Sequence, residues 1–204
     1  MDAHKVENRN LDASEVAPGD HKLHQSRRGL KLVFSVLLRL FGVVLLVPAL
    51  LLMVTDRQTT RVAAFDLEAK YTYSKAFQAF VGACVICACH LLMSSIVSLL
   101  FICTRSKFMR NRFTAWLLFL TDQLMTYLLL GAIAASTQVA YIAKKGSVKV
   151  GWYQVCQNFN RFCNHIEAAL ALGYLALLLL AICTLMSVQN LVYTSRLHHG
   201  TGYF

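Results

Sequence analysis

Four apolar runs decide what this chain can fold into. Residues 32–54 are interrupted only by Arg39, 76–103 carry no charge, 113–143 are interrupted only by Asp122, and 168–191 follow directly on Glu167. Each run exceeds the roughly 20 residues that carry a helix across ~30 Å of hydrocarbon. A spanning strand would need only about 10 residues and would alternate polar with apolar. In a bilayer every backbone group must find its partner within the segment or a closed barrel, so runs of this length are helices. The sequence therefore predicts an all-α, multi-pass membrane protein: a four-helix transmembrane bundle over residues 32–192.

Composition agrees and narrows the function classes. Of 204 residues, 57% are hydrophobic and 15% charged, with mean hydropathy +0.52. An ordinary soluble domain carries about 25% charged residues. This excludes a cytosolic enzyme, a disordered chain and a small disulfide-stapled secreted domain. The net charge of +10 does not point to nucleic acid, because the basic residues stand beside the membrane ends, where anionic lipid headgroups lie. The short loop before the third run holds Arg105, Lys107, Arg110 and Arg112 and no acid. The positive-inside rule weighs such dense short loops most, which puts both termini in the cytoplasm. Residues 1–31 read as a disordered cytoplasmic tail and 193–204 as a short one. There is no Gly-rich phosphate loop, and no Asn-x-Ser/Thr occurs in the chain.

Arg39 and Asp122 are the two charges deep within runs. Their runs start on the same side, so they lie at similar depths, about 10 and 13 Å inward at ~1.5 Å per residue. One isolated charge at such a depth costs about 3 kcal/mol or more. Facing each other they would offset most of that, so an Arg39–Asp122 pair is expected between the first and third helices. Such a pair either locks helix register or marks an ion or proton pathway. A pathway needs a chain of polar groups, and beyond His90, Gln123, Tyr127 and Gln138 there are few, so the lock is the preferred reading. His90 is expected to act as an interhelical hydrogen-bond donor. Small residues at four-residue spacing, Gly131 with Ala135 and Ala169 with Gly173 among them, permit close helix approach. Pro48 should kink the outer half of the first helix.

The seven cysteines fall into two groups. Cys84, Cys87, Cys89, Cys103 and Cys183 lie in or at the ends of runs, where cysteine behaves as a small apolar residue. Cys156 and Cys163 fall in the loop before the fourth run, on the outer side, and make a disulfide candidate. The outer-loop aromatics Trp152, Phe159 and Phe162 can pack on that bridge or rest at the headgroup level. Cys84-Val-Ile-Cys87 also spells a Cys-x-x-Cys, as in quinone-coupled thiol oxidoreductases of the membrane. No basic residue stands near to lower a thiol pKa, which weighs against that enzyme reading.

Arg39 within Leu37-Leu38-Arg39-Leu40, Thr121-Asp122-Gln123 followed by Tyr127-Leu128-Leu129, and the run Trp152…Cys156…Phe159…Phe162-Cys163 together resemble the Casparian strip membrane domain protein family of plants. Asp56-Arg57-Gln58-Thr59 after the first run fits the same pattern. The resemblance covers about residues 30–195 and is closer to the Casparian-strip-like members than to the founding proteins. It implies a plasma-membrane tetraspan, similar in layout to the MARVEL proteins, that forms homodimers or higher homo-oligomers and hetero-oligomers with related members. On it, Arg39 and Asp122 take the family's intramembrane basic and acidic positions, and Cys156 and Cys163 those of its outer-loop cysteines. The expected function is a non-enzymatic scaffold that organises a membrane subdomain and is linked to local cell-wall modification. It would need no cofactor, no metal and no nucleic acid, only the lipid bilayer and its protein partners. The alternative is a small channel or transporter subunit that uses the Arg39–Asp122 pair.

Overall fold

A computed structural model describes residues 18–62, 65–104, 112–146, 151, 154–157 and 159–200. The chain divides into two compact units, Met1–Ser35 and Val36–Phe204. In the first unit the described residues are helical from Pro18 onward, and this helix, α1, ends at Thr55. Proline suits a first helical position because its missing N–H would have no intrahelical partner there. The helix thus begins within the segment expected to be a tail, because extending a formed helix needs no new nucleus. Pro48, where a kink is expected, lies inside α1, which is helical on both sides of it.

After α1 the chain forms a hairpin, β1 (Gln58–Val62) with β2 (Phe65–Ala69), antiparallel from Gln58↔Ala69 to Val62↔Phe65. A 3-10 turn over Tyr71–Tyr73 leads into α2 (Lys75–Thr104), followed by α3 (Arg112–Lys145) and α4 (Asn160–Gly200). Helices from all four apolar runs are long and apolar enough to cross a membrane: Leu32–Thr55, Lys75–Leu100, Trp116–Lys145 and Asn160–Gln189. The fourth starts eight residues before its apolar run because Asn160–Glu167, though polar, continue the same helix. Phe162 and Cys163, expected in a loop, therefore lie in the first turn of α4.

Each helix buries one stripe. Val36, Arg39, Gly42, Leu46, Ala49 and Met53 recur at three- and four-residue steps along α1. Phe77, Phe80, Cys84, Cys87 and Leu91 do so along α2, and Ala169, Gly173, Ala176, Leu180 and Cys183 along α4. This is the helical period of an apolar seam. The opposite faces are also apolar, with Leu37, Phe41, Val44, Met93, Leu128 and Leu178 exposed, as a surface meant for lipid requires. Helix α3 packs along both α2 and α4. Gly173 makes the α4 approach possible: a Cβ there would sit 3.0 Å from Phe80 Cε2.

The end of α3 is closed by its own backbone. Gly146 takes φ +66°, a conformation side chains disfavour, and its N–H bonds to Ile142 O at 2.7 Å. The chain then turns back, and the N–H groups of Val155 and Cys156 both reach Ala143 O, at 2.9 and 3.1 Å. The returning loop so satisfies a carbonyl that the helix end leaves unpaired.

Candidate functional site: a polar hub in the bundle and a cap at one end

In the interior of the bundle lies one polar cluster to which all four helices contribute. Asp122 of α3 has no exposed surface, and Arg39 of α1 is 3% exposed. Arg39 Nη1 donates to Asp122 Oδ1 at 2.9 Å and Nη2 to Oδ2 at 2.5 Å, a bidentate contact. From α2, His90 Nε2 lies 2.9 Å from the same Oδ1; with a carboxylate as its partner, Nε2 must carry the proton. From α4, Ser187 Oγ donates to Oδ2 at 2.8 Å. Arg39 Nη1 also donates to Ser94 Oγ at 2.7 Å, and that hydroxyl in turn donates to Leu91 O at 3.1 Å. One turn on, Thr126 and Thr184 pair at 3.2 Å between α3 and α4.

The arrangement follows from what a buried carboxylate needs. Its two oxygens offer about four acceptor directions, and four donors from three other helices fill them. The Arg39 guanidinium brings a full countercharge to the carboxylate, which lowers the cost of keeping it in hydrocarbon. Satisfying Asp122 also requires each helix to present one particular side chain at one depth. A rotation of any helix by one residue would remove a donor. The chemistry this geometry performs is therefore registration of four helices on one carboxylate, with no acceptor position left open to water on that residue.

Sequence reasoning brought Arg39 to Asp122 and gave His90 its donor role, and the structure places all three together. It did not foresee that Asp122 is the acceptor for His90, nor that Ser187 completes the set. Those residues lie on other helices, 32 and 65 positions from Asp122, where helical spacing carries no information. Cys84 and Cys87 are both fully buried on the core face of α2, with Cys87 Sγ donating to Met125 O at 3.6 Å. A thiol relay needs access to a partner, and these two sulfurs are sealed inside the bundle.

The second constellation caps the end of the bundle where the hairpin and the loop before α4 meet. Cys156 and Cys163 form a disulfide, Cα atoms 5.8 Å apart, which ties the loop to the first turn of α4. Gln58 Oε1, at the start of β1, accepts the backbone N–H of Phe162 at 3.0 Å. This supplies a partner for one of the N–H groups that a helix start leaves unpaired. Asp56, just past α1 and 8% exposed, has Oδ1 3.2 Å from His165 Nδ1. Phe159 and Phe162 are buried, at 5% and 8% exposure, and join the hydrophobic core. Trp152 lies outside the described residues. At the rim, Lys144 Nζ pairs with Glu167 Oε1 at 2.6 Å, both side chains about half exposed. Asp56, Gln58 and His165 are not recognisable in the sequence as a group, because His165 lies 109 residues from Asp56 and 107 from Gln58; only Asp56-Arg57-Gln58-Thr59 stands out.

Comparison with known proteins gives a consistent picture. The family model for the Casparian strip membrane protein domain matches residues 28–179. The chain is similar to CASP-like protein 2U4 of Selaginella moellendorffii, 36% identical over 180 residues, covering 88% of this chain and 92% of the relative. It is also similar to CASP-like protein 1F1 of Ricinus communis, 39% identical over 157 residues, or 76% of this chain and 85% of the relative. CASP-like protein 2U3 of Pteridium aquilinum subsp. aquilinum is 39% identical over 163 residues, with 78% and 87% covered. No solved structure matches the chain.

Proposed function

The chain belongs to the Casparian strip membrane protein family, and from that premise we propose that it is a non-enzymatic plasma-membrane scaffold. In this reading it self-associates, joins related family members in hetero-oligomers, and organises a membrane subdomain linked to local cell-wall modification. Both termini lie in the cytoplasm, which puts the hairpin and the disulfide-tied loop on the wall side.

One observation carries the reading: Asp122, the one acidic group deep in the bundle, is spent entirely on contacts among the four helices. A channel or transporter would use such a carboxylate transiently, with an open coordination position and a polar route to either face. A bundle locked at four points is instead a rigid body, and rigid bodies are what a static lattice is built from. The cap supports the same reading, since disulfide, helix cap and aromatic packing together stiffen the surface offered outside the membrane.

The test is photobleaching recovery of a fluorescently tagged copy in the plasma membrane of plant cells. Slow recovery in discrete patches is expected, with patches lost when Asp122→Asn loosens the bundle. Fast and uniform recovery of the unaltered protein would sink the scaffold reading, and flux through liposomes carrying the protein would revive the channel.

A further inference from the structure

The outward faces of the four helices are not alike. Those of α1 and α2 at membrane depth present Phe41, Val44, Ile86 and Met93 and their like, side chains that lipid accommodates. Helix α4 presents Tyr174, whose hydroxyl is paired within the chain, 2.9 Å from Thr137 Oγ1 on α3. Helix α3 differs. Tyr127, 61% exposed, stands about 5 Å from the middle of the span Trp116–Lys145, counting 1.5 Å per residue. Its hydroxyl has no hydrogen-bond partner among the described residues. Gln138, also exposed, lies about 10 Å inside the Lys145 end with its amide equally unpaired. A hydrogen-bonding group facing hydrocarbon is costly unless something else meets it.

Gly131 lies between them on the same face. It is nine residues from Asp122, half a turn out of phase, and so points directly away from the hub. Two other helix glycines are explained by the bundle: a Cβ at Gly42 would meet Leu91 at 3.1 Å, and one at Gly173 would meet Phe80 at 3.0 Å. Gly82 on α2 has open space but, among the described residues, no outward unpaired polar side chain like Tyr127 or Gln138 on its helix face. At Gly131 a Cβ would meet nothing within 4 Å. Glycine in a helix interior is unfavourable by about 1 kcal/mol against alanine, and among the described residues nothing at Gly131 requires it. With Ala135 one turn on, it leaves a shallow site where another backbone can come close.

Resting on the self-association reading above, we propose that this face of α3 receives the same face of a second copy, the two lying parallel about a two-fold axis near Gly131. The polar groups select the partner. Two copies inserted the same way bring Gln138 to Gln138 and Tyr127 to Tyr127 at equal depth, and an amide or a phenol is both donor and acceptor, so each satisfies its twin. Lipid acyl chains offer neither function. Small residues at the crossing let the helices approach until those bonds form.

The experiment uses the full-length chain in membranes, with Cys89 and Cys103 changed to serine so that added thiols report alone. Ala135→Cys should cross-link to a dimer on oxidation, while Val44→Cys and Leu178→Cys, outward on α1 and α4, should not. Gln138→Leu should weaken dimerisation by about tenfold, the value of one interhelical hydrogen bond. Gly131→Leu should abolish the Ala135→Cys cross-link with the monomer still folded, since its side chain has free space within the chain. Dimers that cross-link through Val44→Cys or Leu178→Cys and not through Ala135→Cys would overturn this interface and leave self-association standing. Monomers under every condition, by single-molecule photobleaching steps, would overturn both.

Discussion

The hub inside the bundle and the cap at its end solve the same problem in different solvents. Both join residues far apart in the chain through polar contacts. In the hub the alternative to each contact is hydrocarbon, so Asp122 must be satisfied completely and every helix is drawn into doing so. At the cap the alternative is water, and the chain relies on a covalent bridge, a helix cap and buried aromatics instead. The rim pair Lys144–Glu167 is half exposed, and a charge contact open to water is expected to contribute little.

Removing one partner of the hub should sharpen this contrast most. Arg39→Leu leaves a buried, uncompensated carboxylate and is expected to destabilise the bundle by about 3–5 kcal/mol, read by thermal unfolding in detergent micelles or by loss of the protein from the membrane. The double change Arg39→Leu with Asp122→Leu should recover much of that loss, because no charge is then left alone. If the double variant were as unstable as the single one, the hub would be acting through shape and not charge.

Next in size is the cap. Opening the Cys156–Cys163 bridge with Cys156→Ser frees a ring of about eight residues, worth about 2.5 kcal/mol by chain entropy. The unaltered protein should show the same downward shift in midpoint on reduction, and the variant should show none. A smaller effect, about 1 kcal/mol, is expected for Ser187→Ala, which removes one neutral donor while Arg39 and His90 still hold Asp122. At the bottom of the scale, Lys144→Gln should change stability by less than about 0.5 kcal/mol, and added salt should erase even that. A Lys144 effect as large as the serine's would break the comparison between the two solvents.

Much of this was legible in the residues. The four spans, their order and the meeting of Arg39 with Asp122 follow from length, hydropathy and depth. A charge in hydrocarbon has so few ways to be tolerated that its partner can be named from depth alone. The cysteine pair was legible for a related reason, since Cys156 and Cys163 alone lay outside the apolar runs. The hairpin was not: Gln58–Val62 and Phe65–Ala69 are short, and only their pairing, not their residues, makes them strands. Nor was the start of α4 at Asn160, because its first two turns are largely polar, and Gln58 and Asp56 meet Phe162 N–H and His165 there from across the chain.

Hydrophobic length dictates that this chain crosses a membrane four times, because in hydrocarbon a backbone has almost no other way to satisfy itself. It also dictates that Arg39 and Asp122 seek each other. Which serine and which histidine complete the carboxylate, and that Gln58 caps α4, are settled by helix rotation and packing. Rotation depends on how four irregular surfaces fit at once, and that sum over contacts distant in the chain cannot be read from the spacing within any one helix.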